Sequence, residues 1–289
     1  MARASAILTA VTWVLLVVGA AVRVKDAGLA CPDWPLCFGQ IVPKLDVSVA
    51  FEFGHRVLAG IVGLAFLGLA RAVYVERRRL PGWLPRLTLL TAIVLAVQIV
   101  LGGLTVLELL AEWTVASHLV TGTTFFCLLA VHSLVLRDAA APRVRPSQSN
   151  VMRLAAVGLL ALVPFQLALG GWIAGASAGL VCPTWPSCAG GAWFPTFSGT
   201  LGVMVAHRAL AWGLFGAALA MAWRASGSMA LPARALAVAV IVQMAIGVAN
   251  VFLLLRAEIT LLHTFGGAGV ALCATWLAYE AAMAGPDDR

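Results

Sequence analysis

Apolar residues run along this chain in eight long blocks, near residues 5–23, 51–73, 87–107, 113–136, 151–174, 200–223, 235–255 and 258–282. Short segments rich in polar residues, glycine or proline separate them. At about 1.5 Å of rise per residue, each block is long enough to cross about 30 Å of hydrocarbon as a helix. Lipid offers the backbone no hydrogen bonds, so spans of this kind are helical. The pattern therefore predicts an all-α integral membrane protein with eight transmembrane helices. The first block lacks the small-residue cleavage site of a signal peptide, so it reads as a helix.

Composition sharpens this picture. Of 289 residues 62% are hydrophobic and only 11% charged, more apolar surface than a soluble domain of this length can hide. Thirteen of the 19 basic residues fall in segments that share one side when the N-terminus is inside: Arg3, the Arg71–Arg86 group, the Arg137–Arg153 group, Arg224, Arg234 and Arg289. The positive-inside rule then puts both termini in the cytoplasm of a bacterial cell. The net charge of +7 is mostly this signature, and no soluble domain carries a basic face for nucleic acid.

The chain also repeats itself. AGLACPDWPLC (27–37) matches AGLVCPTWPSC (178–188) at an offset of 151, and His55-Arg56 matches His207-Arg208 at 152. Gln98, Gly102 and His118 match Gln243, Gly247 and His263 at 145. Landmarks recurring in order mark a duplication. Four helices per half make the repeats parallel, so the expected architecture is two tandem antiparallel four-helix bundles. Their expected bounds are residues 1–137 and 151–289, with a simple cytoplasmic linker at 138–150.

Four of the five histidines, His55, His118, His207 and His263, lie five to seven residues inside the outer ends of the even-numbered helices. Ionisable side chains at membrane depth mark function by default. A lone one is more often a hydrogen-bonded core residue, but four at matched depth point to paired axial imidazoles holding haem iron across each bundle. Arg56 and Arg208 follow two of them at the boundary where haem propionates would lie, although snorkelling explains an isolated arginine equally well. His132 has no counterpart and reads as structural or interfacial.

Each Cys-Pro loop carries cysteines six apart, Cys31 with Cys37 and Cys182 with Cys188. Their outward position is oxidising and neither half offers a companion pair, so a disulfide fits better than zinc. For Cys31–Cys37 a structural lid and a redox pair both stand; for Cys182–Cys188 structure is the better reading. Cys127 and Cys273 sit mid-helix as small packing residues. The halves are unequal. Glu52 stands one turn from His55 where the second half has Met204, and Lys25-Asp26 replace Ala176-Ser177. The first half therefore reads as the reactive one, with Glu52 able to steer protons or stabilise positive charge.

The eight helices in two repeats, the ExxHR motif at Glu52–Arg56, the histidines of the even-numbered helices and the cysteine loops together resemble the haem A synthase family (Cox15/CtaA type) in its bacterial form. The resemblance spans essentially the whole chain. It implies oxidation of the C8 methyl of haem O to a formyl group by successive hydroxylation, giving haem A for aa3-type terminal oxidases. It implies haem O as substrate between His55 and His118 with Glu52 near the reacting methyl, and a haem b cofactor between His207 and His263. It implies a redox role for Cys31 and Cys37, yet the matching pair Cys182 and Cys188 is absent from some members. Implied partners are haem O synthase as supplier, cytochrome oxidase assembly factors, an electron donor of unassigned identity and a second copy of the chain. Two other readings compete: a quinol-linked di-haem cytochrome b, which gives Glu52 no role, and a parallel-repeat transporter, which needs a polar midplane.

Overall fold

The computed structural model describes residues 1–285, and among them the apolar blocks are eight long α-helices with no extended strand. They are α1 Ala2–Val24, α2 Val47–Val75, α3 Leu84–Leu107, α4 Glu112–Ala140, α5 Asn150–Gly175, α6 Gly199–Arg224, α7 Ala230–Phe252 and α8 Ala257–Met283. All eight are long and apolar enough to cross a membrane.

Most run a few residues beyond their apolar blocks, because hydropathy marks the hydrocarbon and caps lie outside it. Asp46 caps α2, its carboxylate accepting from Val49 N at 2.9 Å, and Ser149 caps α5 through Met152 N at 3.4 Å. Helix α4 continues to Ala140, so the polar start of the expected linker is helical. It stops where Pro142 disfavours helical backbone at Ala141 (φ −143°, ψ 84°). Helix α7 ends three residues early, since Leu254 and Leu255 turn left-handed at φ 52° and 58°.

The chain divides into two compact units, Met1–Ala141 and Pro142–Arg289. Within the first, α1 packs on α2 and α4, and α3 packs on the same two, closing a ring of four. Helices α5 to α8 close the same ring in the second. Short polar bonds tie the first ring together. Ser133 Oγ donates to Ser5 Oγ at 3.0 Å, and the fully buried His132 places Nε2 3.0 Å from Thr88 Oγ1. In membrane helices such bonds contribute roughly 0.6–2 kcal/mol each. His132 thus joins α4 to α3, a structural post.

The segment before α5 is more than a connection. Glu280, near the end of α8 and 1% exposed, accepts from Arg145 Nε at 2.7 Å and Arg143 Nη2 at 2.9 Å. Arg145 also lies over the Tyr279 ring at 5.5 Å, and Gln148 N donates to Gly285 O at 3.0 Å. The strand of chain entering α5 is thereby laid along the end of α8. Glu280→Ala strands the buried Arg145 guanidinium and should cost about 3–5 kcal/mol of stability. A drop in melting temperature of the purified protein in detergent, smaller for Glu280→Gln, checks it.

Candidate functional site

His55 and His118 fall in the first unit, His207 and His263 in the second, each near the start of its helix. Within each unit the two histidines stand on the two even-numbered helices of one four-helix ring. Every ring is seated against a glycine of a neighbouring odd-numbered helix: His55 on Gly19, His118 on Gly102, His207 on Gly170 and His263 on Gly247. A Cβ added at those glycines would lie 2.9, 3.1, 3.2 and 3.2 Å from the respective ring Cε1. The rings therefore have room only because those positions lack a side chain.

One helical turn before the glycine, on the same face, three of the four helices carry glutamine. The stretches are QIVLG (98–102), QLALG (166–170) and QMAIG (243–247). Gln98 Nε2 lies 3.2 Å from His118 Nε2, and Gln166 Nε2 lies 3.4 Å from His207 Nε2 while donating to His207 O at 3.2 Å. Gln243 Nε2 lies 3.2 Å from His263 Nδ1 and donates to His263 O at 2.9 Å. Beside His55 the stretch is LLVVG (15–19), with leucine in place of glutamine. Reading the sequence alone matched Gln98 to Gln243 but missed their partners; the thrice-repeated Q-x3-G was the available signal.

These surroundings suit a haem held by paired imidazoles. Nδ1 of His55, His118 and His207, and Oε1 of Gln98, Gln166 and Gln243, are buried without a hydrogen-bond partner. Buried polar atoms are rarely left so. Metal-bound histidines use one ring nitrogen for the metal and hold the other with a second group, and a glutamine side-chain amide lies beside three of the four rings.

Over each pair of helix ends sits a cysteine loop, closed by a disulfide from Cys31 to Cys37 in the first unit and from Cys182 to Cys188 in the second. All four cysteines are buried. The arginine after the histidine clasps the loop by the same carbonyls in both units. Arg56 donates to Asp33 O (2.9 Å), Leu36 O (2.7 Å) and Cys31 O (3.3 Å). Arg208 donates to Thr184 O (2.8 Å), Ser187 O (3.1 Å) and Cys182 O (2.9 Å). The loop glycines have a packing reason. A Cβ on Gly28 would meet Leu110 at 3.3 Å, and one on Gly179 would meet Leu255 at 2.6 Å. Inside the first loop, Asp33 accepts from Gly39 N and Phe38 N, both at 2.7 Å, and these bonds hold its carboxyl below the usual carboxylate range. Their contribution is complete above the ordinary Asp pKa and is lost only as pH falls through the depressed one.

The units then diverge. Buried Glu52 accepts from Cys31 N at 2.8 Å and pairs with Arg56, joining α2 to the loop through the disulfide cysteine itself. Met204 stands at that place in the second unit, where the carbonyl clasp of Arg208 acts alone. Trp185 stacks on Trp212 of α6 at 5.8 Å, under Arg208. The corresponding Trp34 lies instead on Gly103 of α3, and α2 has Gly60 where α6 has Trp212. Asp26 and Ser177 share the same left-handed turn (φ 51°), so Lys25-Asp26 change charge without changing the path.

Comparison with known proteins gives this arrangement a family. Residues 2–275 match the cytochrome oxidase assembly protein family designated COX15-CtaA. The chain belongs to that family. Among its relatives, the haem A synthase of Shewanella oneidensis is 30% identical, over 90% of this chain and 90% of the relative. That of Symbiobacterium thermophilum is 32% identical over 76% of this chain and 70% of the relative. That of Parvibaculum lavamentivorans is 27% identical over 93% and 90%. For this member of the COX15-CtaA family, the matched region takes in all four histidine seats and both disulfide loops.

Proposed function

We propose that this chain is a haem A synthase, an oxidoreductase that converts the C8 methyl of haem O to the formyl of haem A for aa3-type oxidases. The observation that carries the reading is a pair of glycine-seated imidazoles beneath a disulfide lid in each unit, with a buried carboxylate in the first unit alone. His55 and His118 take haem O as substrate, and His207 and His263 hold a resident haem b. Haem iron supplies the oxidising power that amino-acid side chains lack. The chain's own residues seat and screen it. Glycines give the rings space, glutamines position three of them, and the loops cover the outer ends of the bundles. Arg56 and Arg208, beside the ligands at that end, are placed to meet propionates while clasping the loops. Glu52 holds negative charge one turn from His55. The basic segments orient the protein with both termini in the cytoplasm and the loops on the oxidising side, where disulfides form.

Co-expression with a haem O source, followed by solvent extraction and identification of the haems, tests this. Haem A or its hydroxylated precursor is the expected product. Haem O recovered unchanged alongside a fully folded, haem-bearing protein would sink the reading.

A further inference from the structure

A haem held by two imidazoles would have no free position for a small molecule, so binding one would need a ligand able to let go. We infer that His55 is that ligand, and that His118, His207 and His263 are fixed ones. The inference rests on the four histidines being haem ligands, and deepens that reading. What distinguishes the four seats is a single position. Gln98, Gln166 and Gln243 each stand on the face of an odd-numbered helix one turn before the seating glycine, with amide nitrogens 3.2–3.4 Å from ring nitrogens. Two of them also donate to the backbone carbonyl of the histidine they accompany, at 3.2 and 2.9 Å. At the fourth seat Leu15 occupies the matching position. Leucine neither donates nor accepts; a buried Nδ1 without a partner is common to His55, His118 and His207, so the difference lies in the missing glutamine alone.

An imidazole tied by a second hydrogen bond keeps its orientation when its bond to the metal breaks, and so rebinds; an untied one can swing aside. The difference also falls in the chemically apt unit, the one that carries Glu52. The glutamines are thus positioning residues, and their absence at His55 is a functional choice within a duplicated frame. The exchange involves no electron transfer. With haem bound, His55 would give up its place to the lone pair of the incoming molecule, one ligand replacing another.

Carbon monoxide titration of the dithionite-reduced protein, loaded in both units and followed by its optical spectrum, tests this. Wild-type protein should bind carbon monoxide at the N-terminal haem and leave the C-terminal haem unreactive. Leu15→Gln should weaken that binding about 10–100-fold at unchanged haem content, the range over which such partners tune a metal site. Gln166→Leu should make the C-terminal haem reactive in turn. Unchanged affinity in Leu15→Gln, or a C-terminal haem still unreactive in Gln166→Leu, overturns the inference while the ligand reading stands. Full N-terminal haem content in a His55→Ala/His118→Ala double variant removes the ligand reading itself.

Discussion

If His207 and His263 hold haem as proposed, replacing either by alanine should empty the C-terminal unit of haem while the N-terminal unit still takes up its substrate. Hydrogen-bonded partners of metal-ligating histidines alone shift metal affinity by about 10–100-fold, so loss of the imidazole should lower occupancy at least that much. The fold of the second unit should survive. The glutamine carbonyl bonds, Gln166 to the residue 207 backbone and Gln243 to the residue 263 backbone, do not involve the lost rings. The Glu280 clamp lies at the other end of α8 from His263. Haem per protein by the pyridine haemochrome method, with the melting temperature alongside, reads the result. Normal haem content in both variants contradicts the ligand assignment. Loss of haem together with collapse of the melting transition would instead make these histidines part of the fold.

How far the sequence could be read depended on what each feature leaves in side chains. Eight helices were legible because lipid forces apolar blocks of a fixed length, and repeat-related depth singled out the four histidines from His132. Cysteine spacing pointed to the two disulfides, which the structure contains. The arginine clasp was invisible, since backbone carbonyls, present at every residue, leave no mark in the sequence. Arg56 and Arg208, read in the sequence only against propionates, also donate to loop carbonyls. The partner of Glu52 was hidden for the same reason, being the amide of Cys31. The seating glycines and their glutamines lay in plain view as Q-x3-G, yet their meaning required knowing which helix faces which histidine. The Glu280 clamp was a lone acid near the end of an apolar helix, with two arginines 135 and 137 residues away in sequence. Such pairs become evident only when the ring of helices closes.

Glu52→Ala should abolish haem A formation and leave haem b in the C-terminal unit. The second unit indicates what a lid does without this carboxylate. With Met204 in place, its loop still closes its disulfide, and Arg208 still holds three carbonyls. The first loop should therefore persist in the variant, held by the matching bonds of Arg56. What disappears is a buried negative charge one turn from His55 and the acceptor for Cys31 N. A positioned acid or base contributes about 10²–10⁴-fold to rate, so turnover should fall by at least that range if Glu52 moves a proton for the reacting methyl. Glu52→Gln separates the two roles. Its amide oxygen can still accept from Cys31 N, but it carries no charge beside Arg56. Recovery of activity in Glu52→Gln would make the hydrogen bond to the disulfide loop the function of this residue; continued inactivity would make it the charge. Loss of haem from both units in Glu52→Ala, measured on extracted pigments, would reduce Glu52 to a folding residue.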